Sequence, residues 1–390
     1  MNFWQTLPQP IFGLSPMDGV TDAAFRQIVA AEGRPDVVFT EFTNVSDICR
    51  GPDAALSTFL YSGGERPIVA QLYGKQPDLF YQAAHIVCEL GFDGIDINMG
   101  CPSKNVASSG SGAGLIRTPP LAHDIMRAVQ RGVEDWANGQ TLDHVGIKAS
   151  KIALIRAMNI QRSGSPTPHR RLIPVSVKTR IGYDAVIIED WVGHLLEQRP
   201  AVISVHGRTL QQMYRGEADW AAIARAAQLT QGTETLLFGN GDVRSLGEAM
   251  RRVRETGVHG ILVGRGVLGS PWFFDMKEAA RASVRSDDTT PHRLEYAADS
   301  DDRIRRFRVM VEHARVFEAL FGRSRFPRMR KHLGWYCKGF PHAAALRNDM
   351  VRASSSEDVE RLLATHAEGS VASLPQPSPA SMGPPALTCA

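Results

Sequence analysis

The sequence predicts an α/β protein, a (β/α)8 barrel followed by a C-terminal all-helical domain, on three observations. Eight short apolar runs recur, each followed by a helix-like segment of mixed polarity, across roughly 265 residues, which is the size of such a barrel. Most runs show no polar alternation, as strands buried on both faces require. Gln71, Asn98, Lys178, His206 and Asn240 each fall at, or just beyond, the C-terminal end of a run. In a barrel those ends converge on one mouth. A doubly wound open sheet, the alternative, gives no reason for all five to gather.

Strands are expected at Ile11–Pro16, Val37–Phe42, Ile68–Gln71, Gly94–Asn98, Val175–Lys178, Val202–His206, Leu236–Gly239 and Gly260–Val263, with helices such as Asp78–Leu90 and Leu246–Thr256 between them. The connection between the fourth and fifth strands is far longer than usual. Residues from about 135 to 172 read as an insertion, with "HVGIKASKIALIRAMNI" as an extra helix and "SGSPTPHRR" as an exposed loop. Lys148 and Lys151 belong to that insertion and not to the catalytic set. The barrel domain is placed at 1–285. "RSDDTTPHRLEYAADSDD" reads as a linker, a helical domain follows within 286–366, and 367–390, which ends in the uncharged, Pro-, Ser- and Ala-rich "SVASLPQPSPASMGPPALTCA", reads as a disordered tail.

Hydrophobic content of 43% and charged content of 22% suit a soluble globular chain. No apolar run approaches the ~20 residues that span a bilayer, and "MNFWQTLPQPIFG" lacks the features of a signal peptide. A cytoplasmic protein is expected. Five cysteines, odd in number and without a CxxC pair, indicate neither a disulfide framework nor a zinc site, so no metal is expected. The net charge of +3 decides little, but Arg303 to Lys338 holds eleven Lys or Arg against Glu312 and Glu318. That segment suits a polyanion. No self-pairing element is evident, and a monomer is expected.

The seventh strand ends in "LFGNGD" and the eighth in "LVGRG". Glycines there let backbone N–H groups approach an anion, and barrels commonly hold phosphates at these two strands. Gly239, Gly241, Gly264 and Gly266 would form the cradle, with Arg265 adding charge; two ordinary tight turns are the alternative. Lys178, in "VSVKTR", must find an anionic partner if it points into the mouth. The electron-rich edge of a reduced flavin is one, whereas a lone lysine at a strand end often just reaches solvent. Gln71 both donates and accepts, which matches the uracil-like edge of an isoalloxazine. His206 alone reads as structural. "SPMDG" at Ser15–Gly19 places backbone N–H groups beside a flat ligand. Cys101 begins a Gly-rich loop over the mouth; a random cysteine is usually a buried packing residue, but here its thiol is placed to donate a proton.

The stretches "GLSPMDGVTDAAFRQIV", "VAQLYG", "DGIDINMGCPSKNV", "VSVKTRIGYD", "VHGRTLQQMYRGEADW", "FGNGDV" and "ILVGRGVLGSPWFF" together resemble the tRNA-dihydrouridine synthase family, and "MRKHLGWYCKG" resembles its helical domain. The resemblance implies FMN in the mouth, NADPH as reductant, and reduction of the C5–C6 double bond of a tRNA uridine. It implies that Pro16 and Met17 line the flavin, that Gln71 meets its pyrimidine edge and that Lys178 meets its N1–C2 side. His206, Asn240, Gly241, Asp242, Gly264 and Arg265 would complete the ribityl and phosphate contacts. Cys101 would be the proton donor. Asn98 would serve the substrate, and Arg328, Arg330, Lys331 and Lys338 would hold tRNA phosphates, with Trp335 and Tyr336 as stacking faces. A flavin-dependent dehydrogenase of a free pyrimidine such as dihydroorotate, or a non-catalytic RNA-binding barrel, are the competing readings. The long fourth-to-fifth connection departs from the family pattern.

Overall fold

A computed structural model describes residues 2–285 and 300–368. Eight parallel strands close on themselves: β1 (Ile11–Leu14), β2 (Val37–Phe39), β3 (Ile68–Tyr73), β4 (Gly94–Met99), β5 (Val175–Arg180), β6 (Val202–His206), β7 (Leu236–Asn240) and β8 (Gly260–Val263). Neighbours in the chain pair in order, β8 pairs with β1, and Val38 and Phe39 of β2 lie in register with Ile68 and Val69 of β3. The closed barrel and every expected strand are therefore present. A two-residue extension at Thr43–Asn44 adds to the β3 edge.

Around the barrel run α1 (Ala23–Glu32), α2 (Val45–Arg50), α3 (Pro77–Glu89), α4 (Pro119–Ala137), α5 (Ala149–Ser163), α6 (Ile188–Leu196), α7 (Trp220–Leu229), α8 (Leu246–Thr256) and α9 (Lys277–Arg285). Several start on an expected cap: the side chains of Asp22, Asp219 and Ser245 accept the backbone N–H three residues on. The barrel interior is stratified. At its floor Trp4, from a short N-terminal turn, packs with Ile11, Val37, Phe39, Val69, Val202, Phe238 and Leu262. Trp4 is 1% exposed and meets Phe238 edge-on at 5.5 Å. Above this apolar plug lies a polar layer built from the upper halves of β3 to β7.

α5 is the extra helix of the insertion, and it lies against the barrel's outer helices. Lys151 is 3% exposed, and its Nζ donates to the carbonyls of Ile48 (2.7 Å) and Gly51 (3.0 Å) at the end of α2. It serves as a C-terminal cap on another helix. Asn159 Nδ2 similarly donates to the Glu89 carbonyl that ends α3, at 2.8 Å.

Four further helices, α10 (Ser300–Phe321), α11 (Arg330–Tyr336), α12 (Ala343–Met350) and α13 (Ser356–Glu368), share a second apolar core. Ala24, Ile28 and Trp272 of the barrel enter that core, so the helices dock on α1 and the segment after β8. Arg305 and Arg308 both pair with Glu32 of α1, at 3.1 and 2.6 Å. Tyr336 is 1% exposed with its hydroxyl 3.1 Å from His313 Nδ1. This corrects its expected role as a stacking face: it is core. No described helix is long and apolar enough to cross a membrane. Most of the linker and the whole 369–390 part of the expected disordered tail lie outside the described residues.

Candidate functional site

Barrel register sets the site. Asn98 of β4 lies opposite Lys178 of β5, Gln71 of β3 opposite Asp96 of β4, and Arg180 opposite His206. In parallel strands paired residues face the same side, so these side chains form one polar layer inside the mouth.

A continuous hydrogen-bonded chain runs through it. Ser176 Oγ donates to Asp96 Oδ1 at 2.6 Å, and Gln71 Nε2 donates to Asp96 Oδ2 at 2.7 Å. Asn98 Nδ2 donates to Gln71 Oε1 at 2.9 Å. Asn98 Oδ1 then accepts the backbone N–H groups of Gly100 (3.1 Å) and Cys101 (2.8 Å). Because a carboxylate only accepts, Asp96 fixes the orientation of the Gln71 amide and, through it, that of Asn98. Gln71 is fully buried and keeps one amide hydrogen for a ligand above it. Asn98, expected to serve the substrate, holds the start of the Cys101 segment.

Cys101 is 7% exposed, and burial holds its thiol above the ordinary range against a hydrogen bond from the Ser103 N–H. It is protonated at neutral pH. What was read as a loop is largely helical, with one turn at Lys104–Ser108 and a second at Gly112–Arg117. Gly112 has φ +56°, and a Cβ there would sit 3.2 Å from Cys101 Cβ and 2.9 Å from Val106 Cγ1. The glycine-rich segment thus closes tightly behind the cysteine. Asn98, which holds the Cys101 N–H, lies in register with Lys178, and an added Cβ on Gly100 would sit 3.3 Å from the Lys178 carbonyl, so Lys178 and Cys101 share one rim.

Lys178 Nζ donates to Asn240 Oδ1 at 3.1 Å, and Asn240 Nδ2 donates to the Leu262 carbonyl at 2.7 Å. Burial, with Arg180 nearby, lowers the ammonium to about 8, while Asp96 supports its charge. Asp96 is itself raised to about 6 by burial. His206 is pushed well below its usual range by burial and by Arg180, Lys178, Arg208 and Arg265. It is neutral, and since Arg208 Nη1 can only donate to its Nε2 (3.4 Å), the ring hydrogen is on Nδ1.

Asp242 spends its carboxylate on Arg208 (2.6 Å) and Arg265 (2.8 Å), and its Oδ2 also accepts the Ala218 N–H. It positions the two guanidiniums and has no oxygen to offer a phosphate. Gly264, Arg265 and Gly266 open a single turn, and their N–H groups, like that of Gly241, take no hydrogen bond among the described residues. Gly241 has φ +134° and lies 3.3 Å, by an added Cβ, from the His206 ring. Gly239 does not join this cradle: an added Cβ would meet the Trp220 ring at 2.4 Å, so it is a packing glycine on the helix side of β7. Pro16 and Met17 are half-buried at the rim, and Met17 Sδ lies 3.3 Å from an added Gly264 Cβ. Among the backbone donors of "SPMDG", only the Asp18 N–H takes no hydrogen bond among the described residues. The N–H groups of Ser15, Met17 and Gly19 already bond Val263 O, Thr21 Oγ1 and Glu41 Oε1.

The mouth therefore carries Lys178, Arg180, Arg208 and Arg265 against Asp96 and Asp242, with unspent backbone donors beside Arg265. Ser204, in register with Lys178, has a buried hydroxyl without a partner. An anionic ligand with a planar polar edge and a phosphate fits these residues. Asp96, Ser176, Arg180 and Arg208 were not singled out by sequence; each sits one or two residues from a residue that was.

Of the expected tRNA contacts, Arg328 is exposed. Lys331 and Lys338 are exposed too, but their amines reach the carbonyls of Gly19 and Leu268, and Arg330 Nε donates to Ala353 O at 2.8 Å. Lys331 and Lys338 thus tie the helical domain to the barrel, whereas Arg330 bonds within the helical domain.

The family model described as dihydrouridine synthase matches residues 13–160 and 168–371, its interruption falling in the insertion. The probable tRNA-dihydrouridine synthase 2 of Bacillus subtilis (strain 168) is 34% identical over 367 residues, covering 93% of this chain and 95% of that protein. The probable tRNA-dihydrouridine synthase of Staphylococcus epidermidis is 31% identical over 369 residues, covering 93% and 96%. A closed parallel barrel with a protonated thiol and a half-buried lysine on one rim, matched over nearly its whole length, belongs to the dihydrouridine synthase family of flavin-dependent oxidoreductases.

Proposed function

We propose that the protein reduces the C5–C6 double bond of specific uridines in tRNA to 5,6-dihydrouridine, with FMN as its cofactor and NADPH as reductant. The reading rests on one observation: the buried, protonated Cys101 and the desolvated Lys178 share a rim whose charge balance favours an anionic ring.

What FMN supplies here is hydride chemistry at N5, directed to C6 of the uracil. Lys178 holds positive charge toward the N1–C2 side, and Gln71, fixed by Asp96, offers its remaining amide hydrogen to the pyrimidine edge. His206, Asn240 and the N–H groups of Gly241, Gly264 and Arg265 hold the ribityl chain and phosphate. Asp242 acts through Arg208 and Arg265. Pro16 and Met17 flank the ring. As charge builds toward C5, the Cys101 thiol donates its proton there as general acid. Asn98 holds Cys101 in place by its backbone. A uridine inside folded RNA must be extruded to reach this pocket, and Arg328, Arg330, Lys331 and Lys338 hold the surrounding phosphates. A tRNA substrate implies a cytoplasmic setting.

The test is NADPH oxidation by the purified protein with transcript tRNA, with uracil and with orotate, together with dihydrouridine mapping in tRNA from a strain lacking the gene. Turnover with tRNA alone and loss of one dihydrouridine is the expected result. Turnover with a free pyrimidine would replace this reading by the metabolite dehydrogenase, and a colourless, inactive protein that binds tRNA would replace it by the RNA-binding barrel.

A further inference from the structure

His123 stands in the second turn of α4, His194 in the last turn of α6, and Glu197 caps the C terminus of α6. The two helices pack side by side on the outside of the barrel, and α4 also packs against β5. His123 Nε2 is 2.8 Å from the His194 carbonyl. A carbonyl only accepts, so Nε2 carries the hydrogen, and in the neutral ring Nδ1 is a bare lone pair. That lone pair faces Glu197 Oε2 at 3.9 Å. The other carboxylate oxygen is 3.4 Å from His194 Nδ1, and His194 Nε2 is 4.0 Å from Asp190. The nitrogen and the carboxylate are thus close enough to share a positive species, either a proton or a metal ion.

We propose that His123, His194 and Glu197 form a binding site for a divalent transition ion of the zinc class. One donor atom from each lies within 4.8 Å of the others. Bonds of about 2.0–2.2 Å in a tetrahedral zinc centre separate its ligands by about 3.3 Å, so closure needs side-chain movement on the order of 1 Å. His123 is largely buried and fixed by its carbonyl bond, the arrangement that orients metal-ligating histidines. Glu197 is 59% exposed and free to swing. Two imidazoles and a carboxylate, with water in the fourth position, suit zinc ahead of magnesium or calcium, and no thiolate takes part. The ion would clamp α4 to α6, helices that the insertion separates in sequence. The same residues escape a motif search because the two histidines are 71 positions apart.

The experiment uses the full chain after dialysis against EDTA. Zinc chloride is titrated by calorimetry and thermal melting, and cobalt chloride by absorption. The proposal expects one saturable site of micromolar affinity, a melting point raised by a few degrees at excess zinc, and visible cobalt bands without a thiolate charge-transfer band. H194A, at a half-buried position, and E197Q, at an exposed one, should each weaken zinc binding by about tenfold or more, H123A at least as much, and C101S not at all. No saturable binding below roughly 100 µM, unchanged affinity in H194A and E197Q, or a thiolate band lost in C101S would each overturn it.

Discussion

Replacing Asp96 by asparagine removes a charge from the centre of the barrel while keeping an acceptor in place. Its Oδ2 accepts from Gln71 and its Oδ1 from Ser176. An asparagine carbonyl can still take the Gln71 hydrogen, and its NH2 can donate to Ser176 Oγ, whose own hydrogen is free to turn fully onto the Ile95 carbonyl (3.3 Å). The electrostatic change is larger. Burial raises the Asp96 carboxyl from 3.8 to about 6. Between those values the folded protein holds a proton that the unfolded chain has lost. Stability contributed by this group is therefore full below about pH 4 and falls as pH rises through 6. Two units amount to about 3 kcal/mol by pH 7. Urea unfolding of wild type and D96N, followed by tryptophan fluorescence from pH 4 to 7.5, measures this directly. The stability of D96N relative to wild type should climb by about 3 kcal/mol across the range, since other carboxyls cancel in the difference. Lys178 adds a second limb. Its ammonium is lowered to about 8, so stability rises with pH from there toward 10.5, and loss of Asp96 should start that rise at lower pH. A difference between the two proteins that stays constant with pH would refute the reasoning.

Cys101→Ala should lower tRNA-dependent turnover by about 10²–10⁴ while leaving flavin reduction by NADPH unchanged in stopped flow, and because burial raises the thiol, wild-type turnover should hold at least to its ordinary range near 9. Arg26→Met strands Glu65, both side chains being fully buried and 2.8 Å apart, and should cost about 3–5 kcal/mol in chemical unfolding; the double variant with Glu65→Gln should recover part of that. Lys151→Met leaves two carbonyls of α2 without their donor and should cost about 1–3 kcal/mol, with tRNA turnover per folded molecule unchanged.

The strands were legible because a parallel barrel buries both faces of each one, which leaves unbroken apolar runs such as Gly260–Val263. The rim was legible because Lys178, His206 and Asn240 interrupt those runs at their ends. Asp96 and Ser176 were not, since a polar residue inside "GIDINM" or "VSVK" shows neither its direction nor its partner until the register of three strands is known. Gly239 and Gly241 look alike in "LFGNGD", and strand alternation would put both on one face; yet one packs on a tryptophan and the other borders the mouth, because β7 ends at Asn240 and the chain turns at Gly241, φ +134°. Tyr336 shares a segment with exposed basic residues, and only the docking of α11 on α10 reveals which face is inward. Lys151 lies in the insertion, but its duty as a cap depends on a helix about a hundred residues earlier.

Trp4 seals one end of the barrel, and this dictates traffic. A tube stoppered below has a single doorway, so on the proposed chemistry the nicotinamide and the nucleobase cannot stand over the ring together. They must alternate, and double-reciprocal plots against one reactant at several levels of the other should run parallel.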